Sequence, residues 1–159
     1  MDLLEHQGKR LFAEVGLPVL PSVTANDVAD LFGTETPAPA QTWDVLKLVR
    51  KAWPGPLVVK GVLHPDDALK CLEMGADGLV VSNHGGRQLD SAPAPMDMLP
   101  VIADAVGGRM ELLIDSGFRR GSDIAKALCL GAKAALFGRP AMFGVAAGGE
   151  AGACKVLDI

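Results

Sequence analysis

The segment Ser82-Asn-His-Gly-Gly-Arg-Gln-Leu-Asp90 gathers groups that can act on a small organic acid. His84 titrates near neutral pH and can take a proton as a general base. Arg87 offers the planar fork that holds a carboxylate in two parallel hydrogen bonds. Between them, Gly85 and Gly86 let the backbone turn sharply and let a flat ligand approach. A base beside a carboxylate anchor is what proton abstraction next to a carboxylate needs. The plainer reading is that His84 only hydrogen-bonds its own turn.

A second segment, Ile114-Asp-Ser-Gly-Phe-Arg-Arg-Gly-Ser-Asp123, reads as a strand end, a loop and a helix start. Gly121-Ser122-Asp123 opens that helix, where free N–H groups and the positive dipole end favour phosphate. Arg119 and Arg120 add charge there, and Asp115 is an acceptor suited to the hydroxyls of a sugar-like chain. Capping by Ser122, with two solvated arginines, is the alternative, and the two are compatible. Gly138-Arg139-Pro140 repeats the pattern. Lys60 ends an apolar run, either to offset negative charge on a bound ring or as a lysine whose stem lies along apolar surface.

The elements between these segments alternate. Apolar runs at Leu57–Lys60, Gly78–Ser82, Leu112–Asp115 and Ala134–Phe137 predict strands. Helices are predicted at about 65–74, 96–106, 122–130 and 140–147, preceded by one over 43–53. Short apolar strands alternating with helices indicate βαβ units on a parallel sheet. The turns Gly75-Ala-Asp-Gly78 and Gly131-Ala-Lys-Ala134 supply the left-handed residues that helix ends favour. Lys60, Ser82–Asp90, Asp115–Arg120 and Gly138-Arg139 then all follow the C-terminal ends of strands, the face that carries the site in βα barrels. Polar residues at loops are the bland account of the same pattern.

Composition narrows the class. The chain has 159 residues, 49% hydrophobic, with formal charge −4. A complete eight-stranded α/β barrel needs about 200 residues or more, so a whole barrel is excluded. A mean hydropathy of +0.27 is too apolar for a disordered chain. The acidic balance argues against a nucleic-acid groove. Cys71, Cys129 and Cys154 have neither C-x-x-C spacing nor a histidine cluster. They predict reduced thiols in a cytoplasmic setting and no metal site. No apolar run approaches the roughly 18 residues of a transmembrane span, and Asp2 and Glu5 do not suit a signal peptide. Residues 1–41 read as an N-terminal helix, an extended piece and a Pro-rich linker around Pro37 and Pro39. Residues 42–159 read as a separate domain.

Leu57-Val-Val-Lys-Gly-Val-Leu63, Gly75–Asp90 with its Ser-Asn-His-Gly-Gly-Arg-Gln-Leu-Asp string, Leu113–Leu128 and Gly138-Arg-Pro140 resemble, in this order, the FMN-dependent α-hydroxy-acid dehydrogenase and oxidase family. The Asp-Ser-Gly-Phe variant is most similar to the mandelate dehydrogenase branch. The resemblance covers about residues 42–159. It implies the C-terminal half, four βα units, of a (β/α)8 barrel. It also implies FMN as cofactor and oxidation of a lactate-, mandelate- or glycolate-type 2-hydroxy acid to the 2-oxo acid. By resemblance, Lys60 would face the flavin N1/O2 edge and Ser82 would contact the isoalloxazine. His84 would abstract the substrate proton as the C2 hydrogen passes to flavin N5, and Arg87 would bind the carboxylate. Asp115 would hold the ribityl hydroxyls, and Gly117, Arg119, Gly138 and Arg139 would cradle the phosphate. The family's first four strands contribute tyrosines and an Asp partner for the histidine. Tyrosine is absent here, so a complementing half-barrel or a second copy is implied. The stretch Met1–Pro21 resembles instead the N-terminus of ATP-grasp succinyl-CoA synthetase β-type subunits. A non-catalytic FMN- or phosphate-binding half-barrel, or an inactive fusion with a CoA-ligase-like N-terminus, is the alternative.

Overall fold

A computed structural model describes residues 42–158. The helix, extended piece and linker predicted over 1–41, with their ligase resemblance, lie outside the described residues. From Thr42 onward the chain forms a compact unit. Helix α1 (Trp43–Ala52) leads into β1 (Val58–Val62), α2 (Pro65–Glu73), β2 (Gly78–Val81), α3 (Pro95–Val106), β3 (Glu111–Ile114), α4 (Gly121–Cys129), β4 (Ala134–Ala135) and α5 (Arg139–Leu157). The four strands make one parallel sheet in chain order, β1-β2-β3-β4. Each strand returns through a helix, as parallel pairing requires.

The helix ends follow from the glycines. At the end of α2 the amide of Gly75 (φ +83) donates to Leu72 O at 3.0 Å and that of Ala76 to Cys71 O at 3.0 Å. Gly131 (φ +109) and Ala132 make the same pair of bonds, to Leu128 O at 3.2 Å and Ala127 O at 3.1 Å. These are Schellman motifs, which satisfy the last carbonyls and turn the chain into the next strand. Arg50 fastens α1 to this frame by donating to Gly75 O at 3.0 Å and pairing with Asp77 at 3.1 Å.

Alternation along the strands sorts the two sheet faces. Leu79, Val81, Leu112 and Ile114 point into a core completed by Ala68 and Cys71 of α2 and by Leu99, Ile102 and Val106 of α3. Lys60, Val80, Ser82, Leu113 and Asp115 alternate with them onto the opposite face. No described element covers that face fully: Val58, Leu136 and Phe137 on or beside it remain 47%, 43% and 40% exposed.

Two predicted elements differ. Strand β4 is two residues long, not the run to Phe137. The amide of Leu136 still donates to Ile114 O at 2.8 Å, and among the described residues the pairing ends there. Helix α5 does not stop near Ala147. It breaks at Gly148 and Gly149, whose backbone is not helical, and resumes to Leu157. A side chain at Gly144 would stand 2.6 Å from Gly152 O, so the two halves meet backbone to backbone, which only glycine permits.

Truncating Leu99 or Ile102 to alanine, both with no exposed surface, lowers the unfolding free energy by about 2–5 kcal/mol, read from urea titration. Burial, helped by Asp67, pushes the Cys71 thiol up to about 11. An alkylating reagent at pH 8 therefore modifies the exposed Cys129 and Cys154 and spares Cys71 in the folded protein, as peptide mass spectrometry will show.

Candidate active site at the strand ends

The polar residues of the open face meet just beyond the strands. Strand β1 carries a bulge between Lys60 and Val62, where Gly61 takes φ +99. The Lys60 ammonium reaches across β2 to pair with Asp115 Oδ2 at 2.7 Å. It also donates to Ser82 Oγ at 2.8 Å. Burial would raise the Asp115 carboxyl. Hydrogen bonds from Lys60, Ser82 and Ser116, with the charge of Lys60, outweigh that and hold it below the ordinary range. Lys60 is thus neither a solvated strand-end lysine nor an isolated charge, and Asp115 already has a cation.

The loop after β2 is tightly held. The His84 amide donates to Ser82 Oγ at 3.1 Å. The Gly85 amide is shared between Asn83 Oδ1 at 3.0 Å and Ser116 Oγ at 2.9 Å. The Arg139 guanidinium donates to Gly85 O. His84 itself sits at φ +57, a region side chains seldom occupy. Its backbone makes the turn. Its imidazole makes no hydrogen bond among those found for the described residues and lies exposed, which removes the reading of a histidine that serves only its turn. A β-carbon at Gly61 would stand 2.6 Å from His84 Nε2. Gly61 therefore makes room for the imidazole.

An open cleft of about 1080 Å³ takes in Lys60, His84, Arg87, Asp115, Gly117, Arg119, Gly138 and Arg139. Ser82 lies beneath it, wholly buried. Of the residues singled out above, Lys60, His84, Arg87, Asp115, Gly117, Arg119, Gly138 and Arg139 line one cleft, and Ser82 is bonded to its Lys60 and His84. Arg120 does not line it. Together with Arg119 it borders a smaller apolar hollow of about 80 Å³ beside Phe118 and Ile124. Ser122 does not cap α4 either. The N-cap is Arg120, and Asp123, in the first turn, reaches back so that its Oδ2 accepts from the amides of Arg119 and Arg120 at 3.1 Å each; Ser122 is exposed. Among the described residues no cluster could hold a metal ion, and no helix is long and apolar enough to cross a membrane.

Sequence reasoning gave no role to Gly61, Asn83 or Ser116. A glycine inside an apolar strand was the available signal for Gly61, since it marks a bulge or a close approach. For Asn83, the signal was its tendency to bond the backbone two residues on. Nothing in the spacing marks Ser116.

A family model described as FMN-dependent dehydrogenase matches residues 8–159. The chain belongs to that family. An FMN-dependent alpha-hydroxy acid dehydrogenase of Penicillium citrinum is 56% identical over 117 residues, 74% of this chain and 29% of that protein. An L-lactate oxidase of a Nostoc species is 54% identical over 121 residues, 76% of this chain and 33% of that protein. The FMN-dependent dehydrogenase likeness extends to structure. Mandelate oxidase with (S)-4-hydroxymandelic acid superposes with TM-score 0.71 and 48% identity, covering 76% of this chain and 34% of that one. A monotopic membrane protein, (S)-mandelate dehydrogenase, gives TM-score 0.71 and 50% identity over 76% of this chain and 32% of its own. The chain spans about a third of the length of the curated relatives it matches. The match begins at residue 8 and so takes in most of the stretch likened to the ATP-grasp ligases.

The depressed Asp115 carboxyl makes a pH signature. Its contribution to stability is present above its ordinary value of 3.8 and is lost as the pH falls through the lower folded value. Asp115→Asn removes that contribution. Acid titration followed by circular dichroism will show the variant less stable than wild type at pH 7, with the gap closing at the acid end.

Proposed function

We propose that this chain holds FMN in the strand-end cleft and serves the oxidation of a 2-hydroxy acid, of the lactate, mandelate or glycolate type, to the 2-oxo acid. The observation that carries this reading is the convergence of an unbonded imidazole, an arginine fork and a lysine–aspartate pair in one cleft. Its four permanent cations, Lys60, Arg87, Arg119 and Arg139, outnumber the carboxylates of Asp90 and Asp115, which suits a phosphate and a carboxylate. The room for FMN is also of the right kind. Side chains at Gly117 and Gly138 would meet nothing within 4 Å, so these glycines leave open a cradle flanked by Arg119 and Arg139.

When bound, FMN would supply the acceptor for the two electrons and the C2 hydrogen leaving the substrate carbon. The chain's own residues do the rest. Arg87 pairs with the substrate carboxylate and fixes its orientation. His84 Nε2 or Nδ1 takes the proton released from the substrate. Lys60, held in place by Asp115 and Ser82, presents positive charge to the ring, and Asp115 accepts from ribityl hydroxyls. Arg139 lines the same cleft, with one amino group on Gly85 O of the His84 loop, and would pair with the phosphate.

We further assign the four βα units as the C-terminal half of a (β/α)8 barrel, with residues 1–41 a separate segment and 42–159 the FMN-binding domain. Among the described residues nothing pairs with the outer edges of β1 and β4 or fully covers the open face, which supports a complementing half-barrel or a second copy as partner. The three free cysteines support a reducing, cytoplasmic setting.

The test is optical. FMN added to the purified protein is bound, with a shifted flavin spectrum and quenched fluorescence, and lactate or mandelate bleaches it without oxygen. His84→Ala keeps the bound flavin and slows bleaching by about 10²–10⁴-fold, whereas Arg139→Ala weakens FMN binding itself. A colourless protein that FMN does not stabilise, alone or with a half-barrel partner, overturns the proposal.

A further inference from the structure

Among the described residues, two other than glycine hold a left-handed backbone, His84 at φ +57 and Ser116 at φ +74. For His84 the open cleft supplies a reason. For Ser116 the backbone alone supplies none, because glycine takes this conformation freely. What serine adds there is a hydroxyl, and that hydroxyl has both its partners. It donates to Asp115 Oδ1 at 2.8 Å and accepts from the Gly85 amide at 2.9 Å. Asp115 is fixed in turn by the Lys60 ammonium at 2.7 Å. The other acceptor on the Gly85 amide, Asn83 Oδ1, belongs to the same loop and moves with it. Ser116 is therefore the bond that refers this amide to the end of β3. Persistent backbone strain at such a point is the mark of a function.

We propose that Ser116 is a positioning residue for His84: its hydroxyl carries the fixed location of the Asp115 carboxylate to the Gly85 amide and so sets where the neighbouring imidazole stands in the cleft. The role deepens the hydroxy-acid oxidation reading, on which its catalytic meaning rests, but the geometry is testable without flavin.

Ser116→Gly isolates the hydroxyl, since glycine keeps φ +74 without strain and the variant folds. In the flavin-free protein, Ser116→Gly shifts the ¹⁵N imidazole resonances of His84 and speeds hydrogen exchange of the Gly85 amide by about fivefold, the population change a lost hydrogen bond brings. His64, on a separate loop, stays unchanged. Gly61→Ala, whose β-carbon would crowd His84 Nε2, calibrates the signal of a displaced ring. Gly108→Ala introduces similar strain at φ +73 with nothing within 4 Å and leaves His84 where it was. If His84 and Gly85 in Ser116→Gly match wild type, the proposal is overturned. Absence of flavin binding, by contrast, overturns only the oxidation reading. With flavin and substrate present, Ser116→Gly lowers the maximal bleaching rate at saturating substrate, while FMN affinity stays within about twofold, less than one hydrogen bond's worth.

Discussion

One ammonium group ties the ends of three strands together. Lys60 leaves β1 at a bulge, crosses beneath the β2 loop and meets both Ser82 and Asp115. With Lys60 44% exposed, the pair contributes little to overall stability. Its effect is local. Removing either charge would leave the other in a half-buried place with an incomplete set of partners. The bulge at Gly61 both aims the lysine and clears space for the imidazole, so one backbone irregularity serves a cation and a base together.

The loop bearing His84 depends on this arrangement for its shape. Its conformation is unfavourable in isolation, and it is held from three sides: by Ser82 below, Ser116 on one flank and Arg139 on the other. Such over-determination is how a strained residue persists. Electrostatics run the same way. The chain as a whole is acidic at −4, yet the cleft concentrates cations, a local field that draws anions toward the strand ends.

The scaffold was largely legible in the residues because its signals are local. Apolar runs of four or five residues gave the strands, and Gly75 and Gly131 gave the helix stops that the Schellman bonds realise. The gathering of His84, Arg87, Asp115 and Arg139 into one cleft was legible through topology, since in a parallel sheet every strand end opens on the same side. What escaped was whatever depends on a third dimension. Ser122 reads as a cap, but Arg120 holds that position and Asp123 reaches back to the amides of Arg119 and Arg120. Lys60 and Asp115 are 55 residues apart in sequence, and nothing in their spacing says that they neutralise each other. Gly148 and Gly149 read as a terminus because a reversal there succeeds only if Gly144 and Gly152 can touch.

That glycine seam bears on the cleft through the ordering of local melting. Helix α5 holds four glycines: Gly144 and Gly152 lie in helical turns, each disfavouring helix by about 1 kcal/mol relative to alanine, and Gly148 and Gly149 interrupt the helix between them. It has little helical tendency of its own and stays wound by contact between its halves. Segments of this kind open at low free energy, well before the core. Arg139 stands in its first turn and clasps Gly85 O, so unwinding that reaches this turn also lets go of one flank of the histidine loop. An interrupted, glycine-rich helix is thus a fastener for the left-handed turn that carries His84.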